Sequence, residues 1–259
     1  AKEQSAASNC EKQLSSGIQT AGLLSEGGWC LSVKGAERVD ICGSRSFLLP
    51  QGHVLPDGRI VQLLLRLLRG GRMSLNDVGA GIGQYGHALR CVDPSIRWTG
   101  YDGAGNIRAF TQNYVAFVDL TVPLSLPRAD WVLSLEVGEH IPRRHQSKYI
   151  QNLDALNCRG MIISWSADGD GGFHHVNNRS SAFVTSRFQR LGYRLNDEMT
   201  RELQKGRSEV EVLAGVSLDG VDWRWHSNGY SIKLPVHRWF RSVLVFERRR
   251  PMCNDSSTK

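Results

Sequence analysis

From Met73 onward the chain alternates short apolar runs with segments of helical spacing, and this alternation limits the fold more than any other feature. Ser74 to Val78 reads as a strand, Gln84 to Cys91 as a helix, Arg97 to Tyr101 as a second strand, Ile107 to Asn113 as a helix and Val115 to Leu120 as a third strand. Trp131 to Val137 is a continuous apolar run, the pattern of a strand buried on both faces. His145 to Leu156 reads as a helix, Met161 to Trp165 as a fifth strand, Ser180 to Leu191 as a helix and Val243 to Glu247 as a last β-rich run. Strands that alternate with helices predict an α/β chain, a mostly parallel sheet with helices on both faces. Such sheets bind ligands beyond the carboxyl ends of their strands.

What precedes Met73 has a different texture. The first residues are rich in Ser, Ala, Gln and Lys, with a weak helical pattern at Leu14, Ile18 and Ala21 that Gly27-Gly28-Trp29 breaks. Trp29 to Leu49 reads as an irregular cap or small hairpin, so residues 1–50 are expected to form an N-terminal cap and 51–251 the main domain. Ile60 to Leu68 has helical apolar spacing and ends at Gly70-Gly71. Lys205 to His237 interrupts the rhythm with Trp223, Trp225 and Tyr230; residues 205–237 are expected to be an insertion with its own hairpin, and 252–259 a tail.

Composition removes several classes. No run reaches the ~18 uninterrupted apolar residues of a membrane span, and hydrophobic residues at 41% with charged residues at 22% are ordinary for a globular chain. The net charge of +7 is compatible with nucleic acid. Yet no five basic residues adjoin, and no zinc-finger spacing or RNA-recognition aromatic signature accompanies them, so a nucleic-acid partner is not favoured. Six cysteines, none in a C-x-x-C pair, argue against structural zinc and permit disulfides, expected among Cys10, Cys30 and Cys42 because Cys91 and Cys158 fall in core elements. With two glycosylation triplets, at Asn178-Arg179-Ser180 and Asn254-Asp255-Ser256, they favour the secretory pathway or an extracellular setting over the cytoplasm.

The chemistry gathers at strand ends. Asp77-Val78-Gly79-Ala80-Gly81-Ile82-Gly83 lies where a strand meets a helix, and glycines there let backbone approach a ligand closely. The glycines fall at every second position, unlike G-x-G-x-x-G, and no G-K-S/T follows, so neither the dinucleotide fingerprint nor a P-loop fits. Asp102 ends the next strand, where a carboxylate can accept both hydroxyls of a ribose. Asp119-Leu120 ends the third, where it can accept from an adenine amine.

These residues carry a resemblance. The glycine loop, Gly100-Tyr101-Asp102-Gly103 and Asp119-Leu120 resemble a class I S-adenosylmethionine-dependent methyltransferase. Gly100 to Asn106, Ala129 to Pro142 and His175-Val176-Asn177 further resemble a poorly characterised group of animal methyltransferase-like proteins, over about Pro50 to Pro251. The resemblance implies a Rossmann-like seven-stranded sheet and S-adenosylmethionine as cofactor. It implies that Gly79, Gly81 and Gly83 line the methionine part, Asp102 the ribose, Asp119 and Leu120 the adenine, and that Asp77 orients the amino group.

Glu136-Val137-Gly138-Glu139-His140 closes the fourth strand on the expected acceptor side. Glu136, Glu139 and His140, with His174 or His175, are candidate ligands of a divalent metal such as magnesium; a similar E-x-x-E-H arrangement is found in small-RNA ribose methyltransferases and related ubiquinone-pathway O-methyltransferases. A metal there lowers the pKa of an acceptor hydroxyl; without one, His140 or His175 is the general-base candidate. A polar acceptor pocket and a purely structural turn remain alternatives. The loop Ala167 to His175 is a candidate flap over substrate, and Trp223 and Trp225 a candidate pocket floor. The expected function is methyl transfer to a hydroxyl or amine of an unidentified acceptor, most plausibly a small molecule. Oxygen is favoured because no Asn/Asp-Pro-Pro-aromatic motif follows the fourth strand. A metal-assisted RNA ribose methyltransferase and a cofactor-binding module without catalysis are the rivals.

Overall fold

Asp57 starts the first element that supports the sheet. Its carboxylate accepts from the backbone of Arg59 and caps α2 (Gly58–Leu68), whose Ile60, Leu63, Leu64 and Leu68 are buried on one stripe. In the computed structural model, which describes residues 2–15, 29–42, 46–205, 221–224, 231–234 and 240–253, α2 is preceded by helix α1 (Lys2–Ser15) and an antiparallel pair, β1 (Glu37–Asp40) and β2 (Ser46–Leu49). Then come β3 (Ser74–Val78), α3 (Gln84–Val92), β4 (Arg97–Asp102), α4 (Ile107–Phe110), β5 (Val115–Phe117), β6 (Ala129–Ser134), α5 (Gln146–Ala155) and β7 (Asn157–Ile163). The chain continues through α6 (Ser181–Arg190), β8 (Tyr193–Leu195), α7 (Asp197–Gln204), the antiparallel pair β9 (Val221–Arg224) and β10 (Ser231–Leu234), and β11 (Leu244–Arg248).

Seven strands form the main sheet in the order β5-β4-β3-β6-β7-β11-β8. The pairs from β5 to β7 are parallel, and β11 enters antiparallel between β7 and β8. The alternation predicts the mostly parallel sheet, and the resemblance implies its Rossmann-like seven-stranded form. The chain winds outward from β3 to β5 and then returns to β6, so the order reverses between β3 and β6. A crevice opens there at the carboxyl ends of the strands. Neighbouring residues of one strand face opposite layers. Leu133 joins Leu75, Ile162 and Val245 under α2 and α3, whereas Val132 joins Met161, Ile163 and Phe246 under α5 and α6. Both faces are buried, which is why the strands read as continuous apolar runs.

Several boundaries differ from expectation. The helix from Ile107 stops at Phe110 because Gln112 and Asn113 take left-handed backbone (φ 52° and 64°). The third strand ends at Phe117, and Asp119 lies beyond it in a turn where its side chain accepts from the Thr121 backbone. The fourth strand stops at Ser134, three residues short of Val137, ahead of a left-handed Glu136 (φ 54°). The fifth runs from Asn157 to Ile163, earlier than Met161 to Trp165. β8 and α7 were not anticipated, although Asn196 caps α7 by accepting from Met199. Ile18, Ala21, Trp225, Tyr230 and the Asn254 triplet lie outside the described residues.

The cysteine expectation is corrected. All six pair, as Cys10–Cys30, Cys42–Cys91 and Cys158–Cys253, with Cα separations of 5.3, 6.1 and 5.2 Å. Only the first joins two of the three early residues. A core position does not isolate a cysteine when another segment passes over it: Met252 donates to the Cys158 carbonyl and brings Cys253 alongside.

Candidate functional site

The crevice begins at the loop after β3. Gly79 has φ 79°, and a Cβ there would collide with the side chain of Val137, so the loop lies tight against the chain leaving β6. The backbone N–H groups of Gly79 and Ala80 both donate to Tyr101 O, at 2.8 and 2.9 Å, which ties the loop to the end of β4. Gly81 N donates to Asp102 Oδ2 at 2.8 Å and Ala104 N to Asp102 Oδ1 at 2.8 Å. The same carboxylate therefore organises the glycine loop and the turn after β4. Gly83, also left-handed, precedes α3 and leaves that helix N-terminus facing the crevice.

Burial pushes the Asp102 carboxyl up to about 6 in spite of these donors. Asp77, beneath the loop, is pushed up to about 7, first by burial and further by Asp102, while Trp98 Nε1 donates to it at 3.1 Å. Asp119 behaves in the opposite way. Burial raises it, but its bonds to Thr121 and to Lys2 Nζ (2.9 Å) hold it below the ordinary carboxylate range. Leu120 beside it is buried. All seven residues expected to contact a cofactor thus stand at or just beyond the ends of β3, β4 and β5.

Across the switch point, the segment after β6 builds a second group. Glu139, His140 and His175 bring one candidate ligand atom each to within 4.8 Å of one another. Glu139 is fully buried; its Oε1 accepts from Ser166 Oγ at 3.3 Å, and its carboxyl lies against that of Glu136. Burial and then the neighbouring Glu136 drive its carboxyl well upward. His140 is pushed down to about 4 by burial and then by His175 and His174, and its Nδ1 lies 3.3 Å from His174 O. The His175 ring stands edge-on to that of His140 with centroids 5.0 Å apart, and its Nδ1 is buried without a partner. Gly172 makes room for that ring, since a Cβ there would overlap it.

Glu136, the fourth expected ligand, is not in this set. Its left-handed backbone turns it toward β7, where Ser164 Oγ donates to Oε1 at 2.7 Å and Ser166 Oγ lies 3.5 Å from Oε2. Ser164 and Ser166 were not foreseen. They stand just past β7, and nothing in the local sequence says that two glutamates follow the neighbouring strand. Trp29 was missed as well; its ring meets His140 at 5.1 Å, Phe173 at 5.5 Å and His174 at 5.7 Å. Trp223 and Trp225, the expected pocket floor, contribute no described side chain.

No protein-family model matches the chain, and no curated protein matches it. Solved structures do. Magnesium protoporphyrin IX methyltransferase from Synechocystis PCC 6803 with bound SAM is 16% identical over 73% of this chain and 76% of its own, with a TM-score of 0.45. The [4+2]-cyclase SpnF is 17% identical over 74% of this chain and 80% of its own (TM-score 0.46). TehB from Haemophilus influenzae is 13% identical over 74% and 62% (TM-score 0.45). Likenesses of this size assign no activity; the fold rests on the strand order and the switch point, and the activity on the site.

Proposed function

We propose that the chain is an S-adenosylmethionine-dependent methyltransferase that acts on a hydroxyl group of a small-molecule acceptor, oxygen being favoured over nitrogen. The observation that carries the reading is the pairing of two groups across one switch point. A glycine loop backed by Asp77, Asp102 and Asp119 stands on one side, and a buried Glu–His–His group on the other. The cofactor supplies a sulfonium methyl that is already strongly electrophilic, so the protein's main task is to hold the two reactants in line and exclude water. Asp102 would accept the ribose hydroxyls, Asp119 the adenine amine, and the Gly79–Gly83 backbone would pack along the methionine part. Glu139, His140 and His175 would hold a divalent cation, which supplies positive charge that favours the ionised acceptor hydroxyl. The unpartnered His175 Nδ1 fits that role, because buried polar atoms otherwise find partners. Ser166 Oγ lies 3.3 Å from Glu139 Oε1 and helps to hold that carboxyl in place.

Titration calorimetry with S-adenosylmethionine, followed by methyl transfer to a panel of phenols, catechols and amines, tests the reading. Tight cofactor binding with no transfer would favour a binding module, and absence of cofactor binding would refute the proposal. Affinity should also depend on pH. Asp102 in the free protein holds its proton up to about pH 6, and only the ionised form can take two hydroxyl donors. Affinity is therefore expected to rise from pH 5 to pH 7.5, with a limiting slope of about tenfold per unit below the pKa. Asp102→Asn should flatten that dependence; a slope that persists in the variant would assign it to another group.

The paired cysteines support an oxidising compartment, in keeping with the secretory or extracellular setting. Protein purified without reductant is expected to show no free thiol in denaturant, and six after reduction. Reactive thiols before reduction would contradict both the pairing and the compartment.

A further inference from the structure

Helix α1 and the residues around Trp29 are far from the sheet in sequence, yet they meet three segments that rim the crevice. At the β5 end, Lys2 Nζ donates to Asp119 Oδ2 at 2.9 Å. At the β4 end, Gly105 lies directly under α1, where a Cβ would meet Ala6 O and Cys10 Sγ, each 2.7 Å away. Glu3 pairs with Arg108 at 3.2 Å, Gly105 N donates to Trp29 O at 2.8 Å, and Asn106 exchanges two hydrogen bonds with the backbone of Leu31 at 2.9 and 2.8 Å. At the β6 end, the Trp29 ring lies against His140 and His174. The buried Cys10–Cys30 disulfide joins the helix to the Trp29 segment covalently.

The geometry points to a strap: α1 and Trp29–Leu31, latched by Cys10–Cys30, close the cofactor crevice and must swing aside for the cofactor to enter or leave. The inference rests on the assignment of Asp102 and Asp119 to the cofactor. Both Asp119 oxygens are engaged in the closed form, Oδ1 by Thr121 and Oδ2 by Lys2, so an adenine amine arriving at Asp119 meets a site already held by the strap. Glycine at 105 and Asn106 are what let the strap lie this close. Because the same segment carries Trp29 to His140, opening it uncovers both sides of the crevice together. The links differ in strength. Lys2 and Glu3 are themselves solvent-exposed, and their pairs contribute up to about fivefold each, whereas the disulfide restricts the open chain far more.

The test is the association and dissociation rate of S-adenosylhomocysteine, followed by stopped flow, in wild type, Lys2→Gln/Glu3→Gln, Cys10→Ser/Cys30→Ser and Asp102→Ala. Both rates should rise about threefold to tenfold in the surface variant and at least about tenfold in the cysteine variant, with a smaller change in their ratio. The surface variant removes only exposed groups, so it decides the matter even where the cysteine variant folds poorly. Wild type that binds, Asp102→Ala that does not, and strap variants within twofold of wild-type rates would overturn the strap alone. Wild type and Asp102→Ala that both fail to bind would overturn the cofactor assignment and the strap with it.

Discussion

Asp102→Ala is expected to lower the affinity for S-adenosylmethionine and S-adenosylhomocysteine by at least about 100-fold while the protein stays folded. Two ribose hydroxyls donating to an ionised carboxylate form charge-assisted bonds, each contributing about 1.5–3 kcal/mol. Their joint loss corresponds to roughly two to four orders of magnitude. The variant also deprives Gly81 N and Ala104 N of their acceptor, so the glycine loop loosens as the ribose contact goes. The fold is expected to survive because the loop keeps its bonds from Gly79 and Ala80 to Tyr101 O, and because removing a buried carboxyl relieves its desolvation. Calorimetry gives the affinity, and circular dichroism with thermal unfolding gives the fold. Unchanged affinity in a folded variant would mean that Asp102 serves only to brace a tight turn, the plainer role its two backbone donors already allow.

How much of this was legible depends on the range over which each residue acts. The placement of the glycine loop and Asp102 at adjoining strand ends was readable because its information is local: a strand, a glycine run and an acid at the next strand end are each written within a few residues. Their register follows from the parallel sheet, where Asp77 aligns with Gly100 and Val78 with Tyr101. The boundaries were less readable. Strand propensity continues through Leu135 and Val137, and only the tertiary environment, with Ser164 Oγ accepting from Glu136 N, forces the turn there. The Glu139–His140–His175 group was half readable. Glu139 and His140 are neighbours in sequence, but the choice of His175 over His174 is made by the Val176 and Asn177 N–H groups, which both donate to Glu139 O and fold that loop back on the site. The Cys42–Cys91 and Cys158–Cys253 disulfides and the Trp29 contact were beyond reach, since each joins distant segments through folded packing alone.

The second large effect concerns this group as the proposed acceptor side. His175→Ala and Glu139→Gln are expected to abolish stoichiometric manganese binding and to reduce kcat by about 100-fold or more, with cofactor affinity within a few-fold of wild type. The separation is possible because these residues lie across the switch point from Asp102 and Gly81. A cation that stabilises a developing alkoxide in a water-excluded site contributes several kcal/mol, which sets the scale of the loss. Glu139→Gln is the cleaner probe. It keeps an oxygen for Ser166 Oγ to bond, so its effect isolates the charge from the packing. A chelator should silence wild-type enzyme, and magnesium or manganese should restore it; the variants should respond to neither. Turnover that survives chelation, with Glu139→Gln as active as wild type, would leave the buried glutamate and the two histidines as a polar wall of the acceptor pocket. His140→Ala would then separate a remaining general-base role from mere shape, because loss of a base lowers kcat most at the acid end of the pH profile, whereas loss of a pocket wall raises KM at every pH.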